Sequence, residues 1–185
     1  MTGFRIESVE PVASVSFLAL EQRRIVSPDG ESFDRAVVRH PGAVAVVPLD
    51  ADGHAVLVRQ YRAAVDQLLL EIPAGKRDVD GEPVETTAER ELEEEIGCRP
   101  GRLVGLGTFY NSPGFCDEHT HLFLGLDLED VERDGQLRHE EAAMTVERVS
   151  LDAVPRLIAN GEIIDAKTII GLLVARERRS SAPGR

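Results

Sequence analysis

Hydrophobic and polar positions alternate with a period of two through much of the first half of the chain. Residues 4–25, FRIESVEPVASVSFLALEQRRI, predict one or two half-buried strands, closed by the turn residues SPDG before a further strand at SFDRAVVRH. GAVAVVPLD and AVLVRQYR flank ADG, which predicts a hairpin, and QLLLEIPAG predicts another strand, stopped by Pro73 and Gly75. A polar loop, KRDVDGEP, leads into the helical stretch VETTAERELEEEIG, which Gly97 terminates. Strands are expected at RLVGLGTFY, HTHLFLGLDL and MTVERVSL, followed by helices at LDAVPRLIANG and DAKTIIGLLVARER. The last helix carries Ile169, Ile170, Leu172, Leu173 and Val174 on a broad apolar side, which predicts packing against a sheet, and RRSSAPGR is expected to fray.

Strands feeding a central helix, then strands and helices again, predict an α/β fold with a mixed sheet between helical layers. The N-terminal strands form an additional small antiparallel sheet, whose long open edge calls for a cover. A partner subunit is the expected cover. The organisation that follows is an N-terminal strand subdomain over residues 1–40, a main domain over 41–178 and a flexible tail over 179–185. No internal repeat or low-complexity block interrupts it.

Composition narrows the function classes. A chain of 185 residues, 42% hydrophobic and 29% charged, reads as a soluble globular protein with room for a sizeable core. Its formal charge, 21 − 33 = −12, disfavours nucleic acid and anionic membrane as partners. An anionic substrate would have to be reached through bound metal or local arginines. The N-terminus has no apolar run followed by a small-residue cleavage site, so no secretory signal is expected. The longest apolar runs fall well short of the ~20 residues that span a bilayer. Cys98 and Cys116 have neither metal-site nor redox spacing, which suits a reducing compartment, and the cytoplasm is the expected location.

The stretch RELEEEIG, residues 90–97, is the candidate chemistry. At roughly 100° per residue, Glu91, Glu94 and Glu95 fall within about a third of a helix circumference, while Glu93 points away. Like charges at i,i+3 and i,i+4 oppose the helix by about a few tenths of a kcal/mol per pair. Carboxylates converging in this way call for a cation. The alternative is a solvated acidic face.

GKRDVDGEPVETTAERELEEEIGC resembles the Nudix box: glycine, five residues, Glu, seven residues, then Arg-Glu-apolar-any-Glu-Glu-any-Gly-apolar. Seven residues separate Glu82 from Arg90, and Arg90, Glu91, Leu92, Glu94, Glu95, Gly97 and Cys98 fit in register. The first half departs from the pattern, with six residues rather than five between Gly75 and Glu82. The resemblance implies a Nudix-type α/β/α sandwich and a Mg²⁺-dependent hydrolase, with Mn²⁺ as a substitute and two or three ions per site. Glu91, Glu95 and the Ala74 carbonyl are the implied metal ligands, and Arg90 and Glu94 belong to the catalytic set. EIPAG before the box, Pro113 sixteen positions after Gly97, and RHEEAAMTVERVSL resemble the ADP-ribose pyrophosphatase branch. That branch implies Glu141 as general base or further metal ligand, with Glu140 as the alternate, and a homodimer. By the same resemblance, Arg62 contacts the diphosphate or ribose, Arg35 lies near the adenine pocket, Glu118 lies near the terminal ribose, and Lys76 lends a backbone N–H to a phosphate. The implied reaction is hydrolysis of ADP-ribose to AMP and ribose 5-phosphate.

Two other readings stay open. The substrate is another nucleotide sugar or a dinucleotide such as NADH or a diadenosine polyphosphate, or the chain is a nucleotide-sensing module without catalysis. Against the second, the helix carboxylates are intact and no basic recognition helix is evident. His119 and His121 alternate on one strand but lack an evident third ligand, and Cys116 lacks a paired base, so neither is assigned a role.

Overall fold

The alternation over residues 4–25 folds as two strands, β1 (Arg5–Val15) and β2 (Leu18–Val26), which pair antiparallel. Between them Ser16 turns the chain at φ 53°. The SPDG turn closes with Gly30 N–H on the Ser27 carbonyl at 3.0 Å, and β3 (Ser32–Arg39) completes a three-stranded sheet in the order β1-β2-β3. The computed structural model describes residues 3–132 and 144–181. Two units divide the chain: Met1–Gly42 with Tyr110–His119, and Ala43–Phe109 with Thr120–Arg185. Within the first, the segment around Cys116 attaches to β3. Val38 N–H donates to the Phe115 carbonyl at 2.7 Å, Asp117 N–H donates to the Val38 carbonyl at 3.1 Å, and the His40 N–H is received by the Asp117 carboxylate at 2.8 Å.

The second unit holds β4 (Ala43–Pro48), β5 (His54–Arg62), β6 (Gln67–Glu71), β7 (Ala74–Lys76), α1 (Val84–Ile96), the strands β8 (Cys98–Tyr110) and β9 (His119–Asp130) up to their ends in the first unit, β10 (Thr145–Ser150), α2 (Val154–Ala159) and α3 (Ala166–Ser181). A mixed sheet runs β7-β4-β9-β8, with β4 and β9 parallel, and an antiparallel sheet runs β10-β5-β6. The continuous apolar runs of β4 and β5 are buried on both faces, as crossover strands between helical layers must be. Val44, Val46, Val56 and Val58 pack with Ala88, Leu92 and Ile96 of α1, whereas Ala45, Val47, Ala55 and Leu57 pack with Leu157 of α2 and Leu172 and Ala175 of α3. The expected α/β/α sandwich is therefore present, and so is the N-terminal antiparallel sheet.

Three local expectations are corrected. The ADG turn forms, but β4 and β5 do not make a hairpin ladder. A single bridge, Leu49 to Ala55, joins them before each enters a different sheet. QLLLEIPAG is not one strand either: β6 ends at Glu71, and Ala74–Lys76 form the separate strand β7 against β4, so Gly75 lies within a strand rather than ending one. On α3 the buried stripe is Thr168, Gly171, Leu172 and Ala175, while Ile170, Leu173 and Val174 are exposed. The helix also continues through Ser181, beyond the expected start of fraying.

Gly171 explains that stripe. A Cβ there would lie 2.9 Å from Ile72 Cδ1 and 3.0 Å from Val47 Cγ2, so helix and sheet approach more closely than a larger residue permits. Gly171→Val is expected to lower stability by about 2 kcal/mol through overpacking. Thermal denaturation measures it, and an unchanged midpoint would refute the close approach.

Candidate active site

Pro83 precedes α1, and Gly97 ends it at φ 65° with its N–H on the Glu93 carbonyl at 3.1 Å. The apolar stripe Ala88, Leu92, Ile96 anchors the helix in the core. Helical periodicity then places Glu91 and Glu95 along the flank of that stripe. Glu95 is only 7% exposed, and Glu91 is buried nearly as well. Glu93 points away, as the wheel predicts, and pairs with Arg99 Nε at 2.7 Å.

Both buried carboxyls meet the short strand β7. Ala74 N–H donates to Glu95 Oε2 at 3.2 Å. A Cβ on Gly75 would come within 1.8 Å of Glu91 Cδ, so the Glu91 carboxyl occupies the space that only glycine leaves open. Arg90 Nη1 donates to Glu91 Oε1 at 2.8 Å and to Glu94 Oε1 at 3.3 Å. Arg90 thus braces Glu94 at i,i+4 as well as Glu91. The same guanidinium also reaches Glu82, through Nε at 3.4 Å and Nη2 at 3.3 Å. The extra loop residue is absorbed upstream in a turn, where Glu82 N–H bonds the Val79 carbonyl at 3.3 Å and Gly81 adopts φ 75°. Glu82 keeps its helix partners. Arg90, and then the Thr87 hydroxyl at 2.7 Å, hold its carboxyl below the usual range.

Burial pushes Glu91 up to about 7, with Arg90 opposing and Glu94 adding to the rise. Burial and then the charge of Glu91 push Glu95 up to about 8. Two hard carboxylate donors packed against β7, with a single guanidinium shared among Glu82, Glu91 and Glu94, suit a divalent cation.

A second polar cluster adjoins Glu95. Glu71, the last residue of β6, is fully buried and receives the Arg62 fork, Nε to Oε1 at 2.8 Å and Nη2 to Oε2 at 2.6 Å. Lys167 pairs with Glu71 and, at 3.0 Å, with Asp165. Asp165 accepts the Thr168 N–H at 2.9 Å at the start of α3, and the Thr168 hydroxyl at 2.6 Å. The Ile72 N–H closes the circuit on Thr168 Oγ1 at 3.0 Å. Arg62 and Lys167 of this cluster both favour the charged form of Glu95.

The sequence profile of the NUDIX domain matches residues 38–170. The chain belongs to the Nudix family. It is 38% identical over 159 residues to the ADP-ribose pyrophosphatase of Bacillus subtilis (strain 168), covering 86% of this chain and 85% of the relative. It is 37% identical over 170 residues to the ADP-ribose pyrophosphatase of Mycobacterium tuberculosis, covering 92% and 82%. Its fold is that of a solved ADP compounds hydrolase, with a TM-score of 0.84 at 24% identity over 96% of this chain and 94% of that one. The protein is a Nudix hydrolase, and hydrolases of this family generally use a divalent metal.

The Nudix resemblance singled out more residues than α1 gathers. Glu91, Glu94, Glu95, Arg90, Ala74 and Lys76 lie on α1 and β7, and Arg62 joins them through the Glu71 cluster. Lys76 sits opposite Ala43, with its ammonium 3.9 Å from Asp78. Arg35, Pro113 and Glu118 belong to the first unit. There the Arg35 guanidinium stacks 4.5 Å from the Phe33 ring, Pro113 is exposed in a turn closed by Ser112, and the Glu118 carboxylate lies 3.7 Å from His40 Nε2. His139, Glu140 and Glu141 lie outside the described residues. His121 bonds Thr108 at 3.1 Å, while His119 packs on Tyr110. Asp50, Asp52 and His54 also bring ligand atoms within 4.8 Å of one another. That cluster is a turn, however, whose Asp50 Oδ1 already accepts the Asp52 and His54 N–H groups.

Glu71 and Lys167 escaped the sequence reading. The available signal was one acid inside the apolar run LLLEIP, because a buried strand does not keep a charge without a partner.

Gly75→Ala tests the packing of Glu91 directly. The displaced group is the end of a flexible side chain, so the melting temperature should barely change. The Mg²⁺ concentration for half-maximal activity should rise about ten- to a hundredfold. Unaltered metal dependence would refute the assignment of Glu91.

Proposed function

We propose that this Nudix hydrolase cleaves the diphosphate bond of ADP-ribose, with Mg²⁺ as cofactor, to give AMP and ribose 5-phosphate. The buried, charge-starved pair Glu91 and Glu95 against Ala74 and Gly75 carries the metal-diphosphate part of this reading. Two relatives above 35% identity, both named ADP-ribose pyrophosphatase, support the substrate.

Glu91, Glu95 and the Ala74 carbonyl would hold the metal. When bound, it would neutralise the diphosphate and lower the pKa of a coordinated water. The protein's own groups supply the rest. Arg90 fixes Glu91 and Glu94 by charge-assisted hydrogen bonds, and the Ala74 N–H fixes Glu95. Glu71 occupies two nitrogens of Arg62 and holds the guanidinium plane, leaving Nη1 for a phosphate oxygen. Glu141, or Glu140 beside it, takes the proton from the attacking water. Lys76, Arg35, Pro113 and Glu118 complete the proposed substrate contacts.

We further propose a homodimer. Every residue of β1 is exposed, including Ile6, Val9, Val12 and Val15, the last at 73%, and an apolar edge of that length calls for a partner. Light scattering should give twice the chain mass of 20.2 kDa, and a monomer at micromolar concentration would overturn it.

Product analysis tests the reaction. ADP-ribose with Mg²⁺ should yield AMP and ribose 5-phosphate faster than other nucleotide sugars or dinucleotides yield their products, and EDTA should abolish turnover. Preferential cleavage of another panel member would replace the substrate while keeping the chemistry. Thermal stabilisation by ADP-ribose without turnover would favour the sensor.

A further inference from the structure

Gln60 is 7% exposed, and its side-chain Nε2 has no hydrogen-bond partner among the described residues. It lies in β5 opposite Leu69 of β6. Along β5, Ala55 and Leu57 face the α2 and α3 core while Val56 and Val58 face α1. Alternation therefore continues the α1-facing row as Val56, Val58, Gln60, Arg62. Glu71 sits across from Val58 in the same register, on the same side. Arg62 stands opposite Gln67, yet its guanidinium reaches Glu71, so its side chain runs back along this row past Gln60.

A primary amide carries two donors, and buried donors are almost always satisfied because an unmade one costs more than a made one returns. The acceptor placed on the same row, Glu71, is engaged by Arg62 and Lys167. An apolar residue would fill this strand position without leaving a donor over. With no partner among the described residues, this donor suits an acceptor from outside the chain, and beside a guanidinium that is an anionic oxygen.

We propose that Gln60 is a substrate-binding residue whose Nε2 donates to a diphosphate oxygen of the nucleotide, next to Arg62. This rests on the reading that the substrate is a nucleoside diphosphate. Gln60→Met keeps length and suits burial, and Gln60→Glu replaces the donor with an anion. Three readouts apply to each protein: melting temperature, kcat and KM for ADP-ribose with Mg²⁺, and ADP-ribose affinity by calorimetry in EDTA, where no turnover intervenes. The expected result for Gln60→Met is an unchanged or higher melting temperature. Its kcat/KM should fall about ten- to a hundredfold, mostly through KM, with weaker binding in EDTA. Gln60→Glu should bind more weakly still. Wild-type kinetics and affinity in Gln60→Met would overturn the proposal alone. So would a fall in kcat with KM and affinity unchanged, since that places the amide with the catalytic machinery. A wild type that neither binds nor hydrolyses ADP-ribose would overturn the substrate reading and this inference together.

Discussion

Glu95→Gln is expected to lower kcat about a thousandfold or more while making the metal-free protein more stable at neutral pH. The two effects share a cause. Glu95 is buried, and burial followed by the charge of Glu91 disfavours its ionised form. Glutamine keeps an oxygen for the Ala74 N–H but removes the charge the fold resists. It also removes a proposed metal ligand, and metal stabilisation of a diphosphate transition state is worth several kcal/mol, at about 1.4 kcal/mol per tenfold in rate. A folding defect would move stability and activity down together, so their opposite movement is the diagnostic. Full Mg²⁺-dependent activity in this variant would remove Glu95 from the site.

The pH dependence follows from the same carboxyls. Glu91 and Glu95 titrate near 7 and 8 in the folded chain against 4.5 for an ordinary glutamate. Below 4.5 both states hold these protons and the groups cost nothing. Between there and about 8 the unfolded chain releases protons that the folded chain retains, so metal-free stability falls as pH rises. In EDTA the melting temperature should drop by about 10 °C or more from pH 5.5 to 8.5 on account of this pair. On the proposed assignment Mg²⁺ competes with the same protons, so its stabilisation should grow over that interval. Glu95→Gln should flatten both trends, and a steep metal-free curve in the variant would sink the explanation.

The legible parts of this molecule are those governed by neighbours in sequence. Helix α1 declares itself through its apolar stripe, its Gly97 terminus and its carboxylate spacing, so Glu91 and Glu95 can be placed from the chain alone. Long-range choices are not written locally. β4 and β5 are apolar on both faces, which says that each is central but not which strand lies beside it. A turn between them therefore reads as a hairpin, although β4 pairs with β9 and β7 while β5 pairs with β10 and β6. Hydrophobicity also misranks the faces of α3. Close packing against Ile72 and Val47 selects Gly171, whose buried stripe includes Thr168, Leu172 and Ala175, while Ile170, Leu173 and Val174 are left at the margin. The Glu71 cluster was least legible, because Lys167 approaches from 96 residues away along the chain.

That cluster makes Glu71→Ala a strongly destabilising change to the fold. The substitution empties a fully buried site and leaves Arg62 and Lys167 without their common anion. Removing one partner of a buried ion pair costs about 3–5 kcal/mol, because the remaining charge stays desolvated. Asp165 still balances Lys167 at 3.0 Å, and Arg62 is partly open to water, so the lower end applies. For a chain of 185 residues that corresponds to a fall of about 10 °C in melting temperature. Lys167→Met should cost less alone, since Glu71 keeps the Arg62 fork. Combining Lys167→Met with Glu71→Ala should cost less than the sum of the two, because the second change removes the cation that the first leaves unpaired. Additive losses would mean that Glu71 and Lys167 act separately, and that the link from α3 to the Glu95 side of the site is not a coupled one.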